Sequence, residues 1–222
     1  MASSIHPSAI VDSKSILGNH VIIGPYAVVE EGALVGDGSE IESHAVIKKW
    51  ARVGENVRVG NFSVVGGDPQ HLGFDCKIPS FANIDKYSRI GEGVTIHRSI
   101  YENQVTKVGQ KTFLMGNSHV AHDSVISDRV VLANGVLLGG HVEIGEDVFV
   151  GGGTAIHQFV RIGCGAMIGG LSASIILFVL KKTMVHEKLV VKSKPILKLK
   201  SFNVSIPSVK WQECQPDWGK AN

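Results

Sequence analysis

Cysteine is scarce in this chain of 222 residues. The three present, Cys76, Cys164 and Cys214, stand at unrelated spacings with no Cys-x-x-Cys pair. That excludes a disulfide framework and a zinc knuckle, and it suits a reducing, cytoplasmic setting. Aromatic residues are also few, at 6%, which disfavours a thick mixed core. No long apolar stretch exists: the longest wholly apolar run, Ile175 to Leu180, has six residues, far short of the roughly 20 that cross a membrane. The opening Met-Ala-Ser-Ser-Ile-His-Pro has no basic region followed by an apolar one, so it does not read as a secretory signal. What is plentiful is glycine, 26 residues, and aliphatic side chains. That balance favours a β architecture of narrow stacked layers.

Charge divides the chain. Residues 175–222 carry nine lysines, no arginine and three acids, whereas residues 1–174 have 13 basic and 17 acidic residues. The resulting +6 and −4 mark a boundary near residue 174. The basic tail reads as solvated chain or as a surface for an acidic protein partner. Nucleic acid is disfavoured, because the body is acidic and no aromatics alternate with the lysines.

The dominant pattern has a period of six. Ile5, Val11, Leu17, Ile23 and so on to Val65 are all aliphatic, and the residue four places on is small or valine throughout, as in Ala27, Ala33 and Ser39. The series stops at Gly66 and resumes one place out of phase at Ile84, running to Ile168 with a single break at Glu102. Six fits neither a 3.6-residue helix nor an alternating hairpin strand, and sustained hexapeptides are a signature of parallel β-helices. Aliphatic side chains are expected to stack inside the coil, small residues to fill its narrow parts, and glycine to serve positive-φ corners. The pattern resembles that of the hexapeptide acyltransferases, which implies an all-β, left-handed β-helix with three hexapeptides per eighteen-residue coil. The expected domain spans 1–173, with residues 66–83 and 99–107 looping out, and 174–222 form an atypical basic segment.

With eighteen-residue coils, Val120, Leu138 and Ile156 superpose, so His122, His141 and His157, each one to three residues further on, fall along one edge. His119 and Asp123 join them. Two chemistries use such a cluster. A histidine can act as general base for a hydroxyl or amine attacking a thioester, with a backbone N–H stabilising the oxyanion. Alternatively three histidines can hold zinc, as in a γ-class carbonic anhydrase-like enzyme. A non-catalytic trimeric scaffold is a third reading.

Further residues narrow the choice. The segments Val94-Thr-Ile-His-Arg98, Met115-Gly-Asn-Ser-His-Val-Ala-His-Asp123, Leu138-Gly-Gly-His-Val142, Ala155-Ile-His-Gln-Phe159 and Ile168-Gly-Gly170 resemble the UDP-N-acetylglucosamine acyltransferase family, which performs the first step of lipid A synthesis. The resemblance implies His122 as general base, Asp123 as its neighbour and the Gly140 N–H as oxyanion donor. It implies His97, His119, His141, His157, Gln158 and Gln70 around the substrate, and Gly170 at the place that sets acyl length. It further implies a homotrimer, a 3-hydroxyacyl group on acyl carrier protein as donor, a UDP-amino sugar as acceptor, and neither metal nor cofactor.

Two departures stand out. Where the family often has Gln-Asp-Leu-Lys-Tyr, this chain has Gln70-His71-Leu72-Gly73-Phe74, which leaves a 3-hydroxyl or a 3-amine acceptor open. Beyond Ser172 the family's double-proline turn and helical domain are replaced by Ile175-Ile-Leu-Phe-Val-Leu, the expected mark of an altered reading frame.

Overall fold

The computed structural model describes residues 3–174; the basic segment and its expected character lie outside them. The described residues form a left-handed parallel β-helix whose strands are mostly two residues long. Two-residue strands follow from the hexapeptide: two extended residues make a side of the coil, and the next four turn its corner. The strands fall into three parallel sheets. The first face runs from Ser4–Ile5 to Met167–Ile168, the second from Ile10–Val11 to Ala173–Ser174, and the third from Ile16–Leu17 to Arg161–Ile162.

The register is three hexapeptides per coil, as in Val11↔Val29 and Val120↔Leu138. It changes at two places. Val65 pairs with Ile96, well past the Asn83 that a regular coil would bring beneath it, because the segment 68–80 between strands Val64–Gly67 and Phe81–Ile84 leaves the coil. That segment is one residue longer than two hexapeptides, which explains the phase slip of the aliphatic series. Ile96 in turn pairs with Val120 where a regular coil would offer Leu114, so one whole hexapeptide is extra. A whole hexapeptide preserves the phase, and Glu102 marks the skipped turn. Both excursions are narrower than the sequence spacing suggests, because 66–67, 81–83 and 105–107 stay in strands.

The inward aliphatics, among them Ile41, Val59, Leu114, Leu138 and Ile162, are fully buried in one continuous core. The small positions do more than fill space. Ser39 Oγ donates to Gly54 O at 2.7 Å and accepts the Val57 N–H at 3.0 Å, and Ser63 does the same to Gly91 and Val94. Each hydroxyl thus satisfies two backbone groups of the next corner that would otherwise be buried without partners.

One expectation holds only in part. Gly32, Gly38, Gly93, Gly135, Gly153 and Gly165 do take positive φ, at the same corner position as His44 (φ 60°), Trp50 (65°), Asp123 (58°) and Phe159 (64°), and so does Gly66 (81°). The glycines directly after the aliphatics at Gly18, Gly24, Gly36, Gly54 and Gly60 do not, and they answer to a steric limit. A Cβ on Gly36 would lie 2.7 Å from the Gly54 carbonyl carbon and 2.9 Å from Glu55 N, backbone of the next coil that has no rotamer to change. Gly36→Ala is therefore expected to destabilise the coil by about 1–3 kcal/mol, read as a lower urea midpoint with an unchanged slope.

Candidate active site

The edge between the second and third faces carries the imidazoles. The first three of the four residues at each corner there project around the edge, and the position decides where a side chain goes. Ala121, Gly139 and His157 occupy the first; His122, Gly140 and Gln158 the second; Asp123, His141 and Phe159 the third, left-handed one. His122 and His157 face a cavity of about 520 Å³, whose wall also includes Gln70, His97, His119, Gly140 and Gln158. Leu137, Leu138, Ala155 and Ile156 give it an apolar side.

His141 is on the edge but outside that wall. Its left-handed turn position stacks it on Phe159, centroids 4.5 Å apart and planes 3° from parallel, and sets it edge-on to His122 at 5.2 Å. Gly170 is also elsewhere. It follows strand Met167–Ile168, so it sits at the corner between the first and second faces, where an added Cβ would approach Gly152 O at 3.2 Å.

His122 and Asp123 form a bonded pair, Nδ1 to Oδ2 at 2.9 Å, both largely buried. The carboxylate is held from behind by the Ser99 hydroxyl and by the Ile100 N–H at 3.2 Å, while its own N–H donates to Thr106 Oγ1 at 2.7 Å. A carboxylate against Nδ1 keeps the proton on that nitrogen and leaves the Nε2 lone pair for the cavity. Ser99 and Ile100 escaped sequence reasoning because they sit in the second excursion, where no period places them. Phe159 was quoted in a motif yet given no role.

Gly140 is shaped to His122. A Cβ there would stand 2.5 Å from the imidazole Cε1 and 2.8 Å from Nε2. Its carbonyl accepts the Phe159 N–H at 3.0 Å, and its own N–H has no acceptor among the described residues.

Burial lowers the pKa of His97, His119 and His141. His97, 8% exposed, is lowered to about 4, first by desolvation and then by the neighbouring His119 and His122. Its Nδ1 has no partner among the described residues. His119 is lowered by burial and then by His122, and bonds Thr95 Oγ1 through Nδ1 at 2.7 Å. His141 is lowered mainly by burial. The consequence for stability has a definite sign. Below 6.5 the unfolded His97 binds a proton that the folded one refuses until about 4, so stability is full above 6.5 and falls as pH drops through that window. Urea midpoints measured between about pH 7 and pH 5 should decline, and His97→Gln should flatten the decline.

A zinc site of three histidines does not assemble among the described residues. The donor groups that come together there are His122, Asp123 and His141, within 4.8 Å. In that set Asp123 already bonds His122 directly, besides Ser99 and Ile100.

Triangular coils and a register of three hexapeptides define a hexapeptide-repeat β-helix, here with an imidazole edge. Residues 14–49 and 32–67 match the bacterial transferase hexapeptide family (six repeats). An acyl-[acyl-carrier-protein]–UDP-N-acetylglucosamine O-acyltransferase of Campylobacter concisus is 36% identical over 171 residues, 77% of this chain and 65% of that protein. One of Aliarcobacter butzleri is 45% identical over 77% of this chain and 66% of its own length. The solved UDP-N-acetylglucosamine acyltransferase of Campylobacter jejuni superposes with a TM-score of 0.73 at 37% identity, covering 77% of this chain and 66% of that one. The chain carries hexapeptide repeats of the bacterial transferase type and is similar, over most of its length, to the UDP-N-acetylglucosamine acyltransferases. It spans just under two thirds of the length of these relatives. Among the described residues no helix is long and apolar enough to cross a membrane.

Proposed function

We propose that the chain transfers a 3-hydroxyacyl group from acyl carrier protein to the 3-position of UDP-N-acetylglucosamine, the opening reaction of lipid A synthesis. The observation that carries the reading is the His122–Asp123 pair, with His122 and Gly140 side by side in the cavity wall and Asp123 behind the imidazole. His122 Nε2 takes the proton of the sugar hydroxyl as its oxygen attacks the thioester carbonyl. The Gly140 N–H, free of any partner among the described residues, receives the oxyanion. Collapse breaks the C–S bond, and the proton on His122 passes to the departing thiolate. Asp123 holds the imidazole in the productive tautomer and stabilises its cation.

His97, His119, His157, Gln158 and Gln70 bind the sugar nucleotide and the donor's arm, and the apolar side at Leu137 and Ile156 takes the start of the acyl chain. His141 acts from the rim, and Gly170 reaches an acyl chain only from another subunit's edge. That fits a homotrimer with clefts between subunits, and the exposed Ile10 (66%) and Leu137 (50%) of the second face offer a neighbour apolar surface. The domain is residues 1–173, and a cytoplasmic setting follows from the donor.

The test is transfer from a 3-hydroxyacyl carrier protein to UDP-N-acetylglucosamine and, separately, to its 3-amino analogue. Transfer to either supports the reading and names the acceptor. No transfer to both by an intact trimer overturns it.

A further inference from the structure

Residues 68–80 leave the coil and their own bonds are short-range: His71 N to Pro69 O at 2.8 Å, Phe74 N to His71 O at 3.0 Å, Ile78 N to Asp75 O at 3.3 Å, Gly73 N to His71 Nδ1 at 3.3 Å and Lys77 N to Asp75 Oδ1 at 2.9 Å. Beyond the Asn103 N–H on Pro79 O at 2.7 Å and the Ser80 hydroxyl on Ser99 O at 2.6 Å, both at the return end, one side chain holds them. Arg98, next to His97 at the end of strand Thr95–His97, is only 3% exposed. Its Nε donates to Asp68 Oδ1 at 2.9 Å, Nη1 to Ile78 O at 2.7 Å and to Ser80 Oγ at 2.9 Å, and Nη2 to Cys76 O at 2.8 Å. The guanidinium also lies between the Trp50 ring of the coil, 4.8 Å from its centroid, and the Phe74 ring of the loop, 4.7 Å from its centroid.

The fork thus grips the start of the excursion at Asp68, its far side at Cys76 and Ile78, and its return at Ser80. Asp68 is 58% exposed, and an ion pair with so exposed a partner contributes little by itself. The planar set of donors does the holding, and a lysine has no equivalent for it.

The loop bears directly on the cavity. Gln70 is part of the wall, and the His71 ring stands edge-on to His122 with centroids 6.3 Å apart. We infer that Arg98 is a positioning residue for acceptor binding: it touches no reacting atom, and it fixes the loop that brings Gln70 and His71 to the cleft. This rests on the acyltransferase reading above. The next residues divide the labour, because Ser99 and Ile100 hold Asp123. Loss of Arg98 should therefore act on binding while the base stays set.

Arg98→Met keeps an apolar stem and removes the fork. It should raise KM for UDP-N-acetylglucosamine about tenfold or more and change kcat less than about threefold, the pattern of lost ground-state binding. Arg98→Lys should recover part of the loss. Phe74→Ala weakens the clamp from the loop side without touching the coil, and should raise KM with an unchanged unfolding midpoint. Limited trypsin digestion reads the loop independently of turnover: the exposed Lys77 should be cut faster in Arg98→Met and Phe74→Ala than in the parent. A KM within about twofold of the parent, a loss confined to kcat, or parent-like cleavage at Lys77 in both variants would overturn the inference. A parent that transfers no acyl group sinks the acyltransferase reading instead, and the Lys77 cleavage rates still decide whether Arg98 holds the loop.

Discussion

On the acyltransferase reading proposed above, His122→Ala is expected to lower acyl transfer by about 10²–10⁴-fold, the contribution of a positioned general base, and to leave thermal unfolding of the coil where it was. The two halves of that result have separate causes. On that reading the imidazole carries the lone pair that accepts the sugar proton, and among the described residues it is the imidazole that has a carboxylate on its Nδ1. His119 has its Nδ1 on Thr95, His157 has its Nδ1 near Gln158 O, and His141 is stacked on Phe159 outside the cavity wall. Stability is spared because the side chain lies on a corner and adds nothing to the aliphatic stack. Removing it does not strand a buried charge either, since Asp123 keeps the Ser99 hydroxyl and the Ile100 N–H. Initial rates at saturating donor, with a thermal melt of the same preparation, check both halves. Near-normal turnover by the variant would remove His122 from its role.

Gly140→Ala is the second large effect, expected as a fall in kcat of about 10²-fold, the scale of a misplacement near 1 Å at reacting groups. The backbone at Gly140 is outside the left-handed region, so alanine fits it conformationally. The new Cβ, however, would lie 2.5 Å from His122 Cε1, and the ring must turn away. Turning breaks the 2.9 Å bond to Asp123 and moves Nε2 off the attack line. The contrast with Gly36→Ala is instructive. There the obstacle is backbone, and the loss is in stability; here it is a side chain that can rotate, and the loss is in turnover. A kcat close to the parent's, with a melt equally unchanged, would show that the imidazole is free to sit elsewhere and still work.

The coil was legible because its cause is local and repetitive. An aliphatic residue every six places, backed by a small one four places on, leaves few ways to bury the chain other than stacked triangles. The phase slip at Gly66 and the break at Glu102 even encode the lengths of the two excursions. The role of glycine was legible in part: Gly32, Gly38 and Gly135 take the positive φ a corner glycine suggests, whereas the tight approach of the next coil that demands Gly36 and Gly54 is visible only in three dimensions. In the site, proximity of His122, His141 and His157 followed from the register of three hexapeptides per coil. Their directions did not, and neither did the separate edge of Gly170.

By itself, the sequence determined the period, the residues that face inward and the edge on which the imidazoles gather, because these depend on spacing along the chain. The tertiary structure alone decided that Ser99 and Ile100 hold Asp123, that Phe159 takes His141 out of the cavity wall, and that Arg98 clamps the loop bearing Gln70. Those contacts join residues far apart in the chain, most of them through non-repeating excursions, where hydrogen-bond geometry and packing, rather than periodicity, choose the partner.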